Sequence, residues 1–224
     1  MGIAAEPLIA IRRALAAARR LTRLAVLAAL AALYVTGVAM AQNAGGIAAE
    51  PVSLPDMALG SKNAPVVIVD YSSMTCSHCA DFMTKVFPML RSKYVDTGRV
   101  RFVFREFPLD AKAAAASMLA RTVANEDSAR YFGAIDTLFR QQDQLIAQPT
   151  DTLQRVGGQY GLSQQAVETV LRDQALLDKL TVDQKIASEV VKVKATPTFF
   201  INGQKHEGFM PFEEIDNTIR SSLR

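Results

Sequence analysis

The tightest constraint on this chain is a single passage. The β-branched run Val66-Val67-Ile68-Val69 ends at Asp70-Tyr71-Ser72-Ser73, and Met74-Thr75 leads into Cys76-Ser77-His78-Cys79. Phe82, Val86, Met89 and Leu90 then recur at helical spacing. The apolar run reads as a buried strand, Ser72 to Thr75 as the break, and residues 80–90 as a helix. A Cys-x-x-Cys set between a strand and a helix is a redox signature.

Two residues between the cysteines let one helical turn bring both sulfurs into bonding range. Cys76 falls at the start of the helix, where unpaired amides and the macrodipole favour an anion. Such a position lowers a thiol pKa and supplies the attacking thiolate. A protonated His78 adds positive charge nearby. Cys79, one turn further in, is expected to be the buried thiol that resolves a mixed disulfide.

Two other uses of the pair compete. A closed zinc site takes four ligands, and beyond these cysteines the chain has only two histidines, His78 and His206. A purely structural disulfide would close a tiny loop, which gains little by loop entropy. The expectation is therefore a redox pair with no metal and no cofactor.

Ala64-Pro65-Val66-Val67-Ile68-Val69-Asp70-Tyr71, followed by Cys76-Ser77-His78-Cys79, resembles the DsbA-type thioredoxin-fold oxidoreductases. A second match lies at Ala195-Thr196-Pro197-Thr198-Phe199-Phe200-Ile201-Asn202-Gly203. The resemblance runs from about Leu59 to the C-terminus. It implies that Pro197 follows a cis bond and packs against the active-site cysteines. It also implies that Asp70, six residues before Cys76, lies beneath them and exchanges a proton with Cys79. A buried carboxylate without a role is costly; the competing reading is a solvated acid at the strand end.

The rest of the chain agrees with an α/β thioredoxin fold carrying an inserted all-helical domain. Val100, Phe102 and Phe104 alternate with Arg99, Arg101 and Arg105, which predicts a strand. Residues 109–192 offer no convincing strand; helices are expected over 111–124, 126–142, 150–160, 163–172 and 174–192, with Ser163 as an N-cap. Phe132, Ile135 and Phe139 form a core stripe. Thr198 to Ile201 is a strand, Asn202-Gly203 a hairpin turn, Gln204 to Phe209 its partner, and Pro211 opens a last helix at its first position. The expected layout is thus 59–108 and 193–224 as the two parts of the thioredoxin fold, with 109–192 inserted between them.

The leader accounts for the charge. Residues 1–41 contain five of the 25 basic residues and one of the 22 acidic ones, so 42–224 carries 20 against 21. The overall +3 therefore argues nothing for nucleic acid. Arg12, Arg13, Arg19, Arg20 and Arg23 precede an apolar stretch from Leu24 to Val38, and Ala39-Met40-Ala41 fits a cleavage site. This predicts a secretory signal; an uncleaved membrane anchor is the alternative. Both place the remainder outside the cytoplasm, in the periplasm, where disulfides persist. Residues 42–58, with Gly45, Gly46, Pro51 and Pro55, read as a flexible lead-in too short to form a dimerisation domain.

The expected activity is thiol–disulfide exchange through Cys76 and Cys79, introducing disulfides into secreted proteins. Met74, Thr75, Ser77, Thr196, Pro197 and the Gly208-Phe209-Met210 turn are candidates for the rim of a substrate groove. The resemblance implies clients that are unfolded or cysteine-containing, and a DsbB-like membrane partner that reoxidises the enzyme. Ser77 stands where the best-known oxidases have proline, and Thr196 is common in isomerase- and reductase-type relatives. The alternatives are a reductase or isomerase kept reduced by a membrane partner, and a chaperone-like binding protein with a vestigial redox pair.

Overall fold

The computed structural model describes residues 52–224. The predicted leader, and the lead-in as far as Pro51, lie outside the described residues. Among the described residues no helix is long and apolar enough to cross a membrane.

Five strands form one sheet in the order β1-β3-β2-β4-β5. They are β1 Met57–Leu59, β2 Val66–Ser72, β3 Val100–Glu106, β4 Thr198–Ile201 and β5 Gln204–Glu207. β2 and β3 run parallel; the other pairings are antiparallel. A central strand flanked on both sides is buried on both faces, which explains the nearly unbroken apolar run of β2. Val66 and Ile68 face one cluster together with Cys79, and Val69 and Tyr71 face the other. Asp70 and Ser72 continue the Val66–Ile68 side by the two-residue period of a strand.

β1 was not anticipated, because three residues carry too little pattern. It pairs antiparallel with β3. Gly60 ends it with φ +91°, and a Cβ there would lie 2.2 Å from the Val100 carbonyl oxygen, so only glycine fits. At the other edge, Asn202 and Gly203 take φ 46° and 84°, the left-handed pair that a two-residue hairpin demands. β5 stops at Glu207, two residues earlier than expected.

Parallel strands need a crossover, and the cysteine helix supplies it. This helix, α1, spans residues 77–95, longer than the expected 80–90. It alternates α-helical turns, Ser77–Asp81 and Phe87–Leu90, with wider π turns, Phe82–Val86 and Arg91–Val95. Pro88 explains the irregularity: it removes a backbone donor inside the helix.

Between β3 and β4 the chain forms helices α2 Ala111–Ala124, α3 Ser128–Arg140, α4 Gln142–Ala147, α5 Pro149–Gln159, α6 Gln164–Leu171 and α7 Gln174–Glu189. The single helix expected over 126–142 divides at Gln141 into α3 and α4. Asp110, Asp127, Ser163 and Asp173 accept amide hydrogen bonds at the starts of α2, α3, α6 and α7. The architecture is therefore a thioredoxin fold with a helical insertion. Phe132, Ile135 and Phe139 are buried in the same cluster as Phe82, Phe102 and Phe199, so insertion and sheet share one core. The last helix, α8, is Phe212–Ser222; Pro211 is its N-cap, one position earlier than expected.

The described end of the lead-in, residues 52–58, is held down rather than flexible. Polar groups fasten it to the body: the Ser53 and Leu54 amides donate to the Asp183 carboxylate, and the Pro55 carbonyl accepts from Arg121. Asp56 takes a two-pronged contact from Arg105, 2.8 and 3.1 Å, while Arg105 also donates to the Tyr71 hydroxyl.

Beside it lies a second buried ion pair. Arg121 meets both oxygens of Glu106 at 2.5 and 2.6 Å, and the Tyr131 hydroxyl donates to Glu106 at 2.6 Å. The Arg121 and Glu106 side chains are 8% and 4% exposed. Removing one partner from such a pair costs about 3–5 kcal/mol, because the other charge stays buried alone. Arg121→Leu is expected to lower the unfolding free energy measured in urea by about 3–5 kcal/mol. Adding Glu106→Gln, which removes the stranded charge, should restore part of that loss.

Candidate active site

The strand end, the following turn and the start of α1 build the site. Cys76 is the N-cap of α1 in extended conformation, φ −86° and ψ 121°. Its amide donates to the Ser73 carbonyl at 3.1 Å and its carbonyl accepts from the Ala80 amide at 3.1 Å. Cys76 is part-exposed and Cys79 is fully buried; both are free thiols. Ser77 and His78 are exposed beside them.

The distant proline loop reaches the same place. The Thr196–Pro197 bond is cis, and the Thr196 carbonyl oxygen accepts a hydrogen bond from Cys76 Sγ at 3.2 Å. Thr196 and Pro197 are both buried. Asp70 is fully buried on the Cys79 side of β2. Its Oδ1 accepts from the Ser72 hydroxyl at 2.6 Å, and its Oδ2 has no hydrogen-bond partner among the described residues. Asp70 is therefore not a solvated acid at the strand end.

Two expectations change here. Met74, expected at the rim of a groove, is 1% exposed and packs in the core, because the turn directs it inward. Met210 is likewise buried at 2%, whereas Phe209 is 40% exposed. Thr75 stays part-exposed, with its hydroxyl 3.3 Å from that of Ser73.

One residue absent from the sequence reading secures the turn. Gln142 Nε2, the first residue of α4, donates to the Met74 carbonyl at 2.9 Å and to the Cys76 carbonyl at 3.0 Å. One carboxamide thus ties the insertion to the loop of the exposed thiol. Nothing local in the sequence marks it. Ser72 is different: its place two residues after Asp70 on a strand puts both on one face, which the strand period could have disclosed.

The electrostatics set the two sulfurs apart. A hydrogen bond from the Cys79 thiol does most to favour the Cys76 anion. Partial burial opposes this, and the Thr196 contact and the amides of Cys79 and His78 reinforce it, bringing Cys76 from an ordinary 9.0 to about 5. Burial raises Cys79 well above the ordinary thiol value, helped by its bond to Cys76 and by the Asp70 charge; the Ser72 hydroxyl, hydrogen-bonded to Cys79, works the other way. Burial also lifts Asp70 from 3.8 to about 7, against the Ser72 hydrogen bond and with the Cys76 charge. The arrangement supplies a reactive thiolate at neutral pH, a buried thiol as its partner, and a carboxyl that titrates near neutrality beneath both. Among the described residues no cluster of three or more histidines, cysteines or acids is placed to hold a metal ion.

Because its folded value is raised, Asp70 favours the fold while protonated, and that contribution is lost as pH rises through about 7. Asp70→Asn should therefore stabilise the reduced protein at pH 8 by up to roughly 4 kcal/mol, with the gain vanishing near pH 4. Urea unfolding at the two pH values measures this. A pH-independent difference would mean that the carboxyl titrates in the fold as it does in the unfolded chain.

Comparison with known proteins agrees with this geometry. The family profile described as Thioredoxin matches residues 53–221. A Rickettsia bellii protein that carries the name protein-disulfide oxidoreductase is 32% identical over 156 residues, covering 69% of this chain and 60% of that protein. The chain spans 60% of the length of the Rickettsia relatives it matches. Disulfide bond formation protein D of Bacillus subtilis is 24% identical over 189 residues, covering 82% of this chain and 84% of that protein. The crystal structure of Wolbachia pipientis alpha-DsbA1 superposes with a TM-score of 0.67 at 31% identity, covering 76% of this chain and 92% of that one. With the cysteine pair at the start of a crossover helix and the helices inserted before β4, the chain belongs to the thioredoxin family, among its DsbA-like members.

Proposed function

We propose that this protein is a thiol–disulfide oxidoreductase acting on proteins outside the cytoplasm, and that it works as an oxidase of cysteine-containing clients. The observation that carries the reading is the contrast between the two thiols, Cys76 lowered to about 5 and Cys79 raised by burial. A stabilised Cys76 thiolate favours the reduced dithiol over the disulfide, which makes the disulfide an oxidant.

In the forward reaction a client thiolate attacks Cys76 Sγ. The Cys76–Cys79 bond breaks, and Cys79 leaves with the electron pair and takes a proton. A second client thiolate then attacks the client sulfur of the mixed disulfide, forming the client disulfide and releasing the Cys76 thiolate. Two electrons pass from client to enzyme. Asp70, raised to about 7, is the group beneath Cys79 able to hold that proton. Thr196, whose carbonyl meets Cys76 Sγ, and Pro197 after it, with Thr75 and Ser77 on either side of Cys76 in the chain, are the residues assigned to receive the client backbone. Reoxidation falls to a DsbB-like membrane partner, and export to the leader over residues 1–41.

Equilibration with glutathione measures the direction of electron flow. The expected potential lies well above thioredoxin's roughly −270 mV, toward the roughly −120 mV of DsbA. A value near thioredoxin's would assign the protein to reduction or isomerisation instead. The roles within the pair are separable by trapping. Cys79→Ala should accumulate mixed disulfides with clients, since the enzyme's own resolving thiol is gone, whereas Cys76→Ala should accumulate none. Equal trapping by both would reverse the assignment, and client binding unchanged by Cys76→Ala would favour a chaperone-like role.

A further inference from the structure

The Cys79 proton has to move between groups that bulk solvent does not reach. Asp70, Ser72 and Cys79 are 0%, 2% and 0% exposed. Asp70 has a hydrogen bond to the Ser72 hydroxyl, not to the cysteine sulfur, and its other oxygen has no partner among the described residues. Ser72 points to the same side of β2 as Asp70, toward the cluster that holds Cys79. A hydroxyl can donate one proton while accepting another, so it can pass a proton on without itself becoming charged.

We infer that Ser72 is the proton relay between Asp70 and Cys79. This rests on the redox reading given above. In the forward direction the Cys79 thiolate takes the Ser72 hydroxyl proton while the Asp70 carboxyl returns one to Ser72 Oγ. Asp70 is left as a carboxylate accepting from Ser72, the bond seen in this dithiol structure. In the reverse direction Cys79 loses its proton through Ser72 to Asp70 and attacks Cys76 Sγ. The Cys76–Cys79 bond then forms, and the departing thiolate leaves with the electron pair. Ser72 donates to Asp70 at 2.6 Å and is near enough to Cys79 to favour its anion as well, the placement of a hydroxyl between the two.

The other ionisable groups around this path are accounted for. Cys76 acts on Asp70 from α1, and Tyr131 is near enough from α3 to feel the Asp70 charge. Glu106, opposite Ser72 on β3, is held by Arg121 and Tyr131. Ser72 is thus the polar group that joins the carboxyl to the buried sulfur.

The test uses the reduced protein and oxidised glutathione. Cys76 attacks glutathione disulfide to form a mixed disulfide, and Cys79 then resolves it; rapid acid quench and mass spectrometry time both steps. Ser72→Ala should leave formation unchanged and slow resolution by at least about tenfold, with the pH profile of resolution moved upward. Ser72→Thr, which keeps the hydroxyl, should recover the rate. Ser72→Ala added to Asp70→Asn should slow resolution no further than Asp70→Asn alone, since both cut one path. Resolution at the unsubstituted rate in Ser72→Ala, or an independent additive effect in the double variant, would overturn the relay. Should Ser72→Ala fail to fold, resolution by the unsubstituted protein in mixed light and heavy water decides: a curved dependence on deuterium fraction reports two moving protons, and a linear one refutes the relay. Failure of Cys76 to form the mixed disulfide at all would refute the redox reading instead.

Discussion

Parallel pairing of β2 with β3 obliges the chain to leave the end of β2, cross the sheet and return at the start of β3. Everything at the site follows from that return path. The crossover helix begins where β2 ends, so its free amides meet the last residues of the strand. A cysteine at this junction is both surface-accessible and anion-favouring, whereas one a turn later is driven into the core. The same geometry leaves the final strand residues of that face, Asp70 and Ser72, beneath the helix and out of water. Opposite reactivities in two chemically identical side chains therefore come from the hydrogen bonds that converge on Cys76 and the burial of Cys79 one turn later.

Two buried guanidinium groups tie β3 and α2 to their neighbours. Arg105 and Arg121 extend from β3 and α2 to Asp56 and Glu106, and each also meets a tyrosine hydroxyl or ring. Buried ion pairs contribute little net stability, but they are intolerant of losing one partner. Their position matters more than their energy here. Pairing Glu106 with Arg121 leaves Asp70, among the described residues, as a carboxyl on this face without a cation, and burial raises it toward neutrality. An arginine beside Asp70 would have held it ionised and unable to return a proton.

Much of this was legible in the residues. The Val66–Val69 run, the cysteine spacing, the Asn202-Gly203 turn and the Ser163 cap are local patterns, each governed by a few neighbouring positions. The resemblance to DsbA-type proteins added the link between Pro197 and Cys76, which no local pattern contains. What escaped reading depends on long-range placement. β1 is too short to show a period. Pro88 permits a longer helix than its presence suggests, because wide turns absorb the missing donor. The chemistry of Met74 suits a surface, while the turn that buries it is bound by a glutamine in another helix. The glycines and prolines of the lead-in suggest flexibility, yet its described part is fastened by Asp183, Arg121 and Arg105, partners 129, 66 and 49 residues away.

The Gln142 carboxamide has a wider consequence. Its two hydrogen bonds end on the backbone of the loop that presents Cys76, and α3 just before it supplies rings that pack on Phe102 and Phe104. The helical insertion is thus a structural member of the redox centre rather than an accessory clipped onto a finished one. A chain trimmed back to its sheet and crossover helix would leave the Met74 and Cys76 carbonyls without this support. The inward faces of those helices are thus bound by the geometry of the cysteine loop, and their outward faces are free of that constraint.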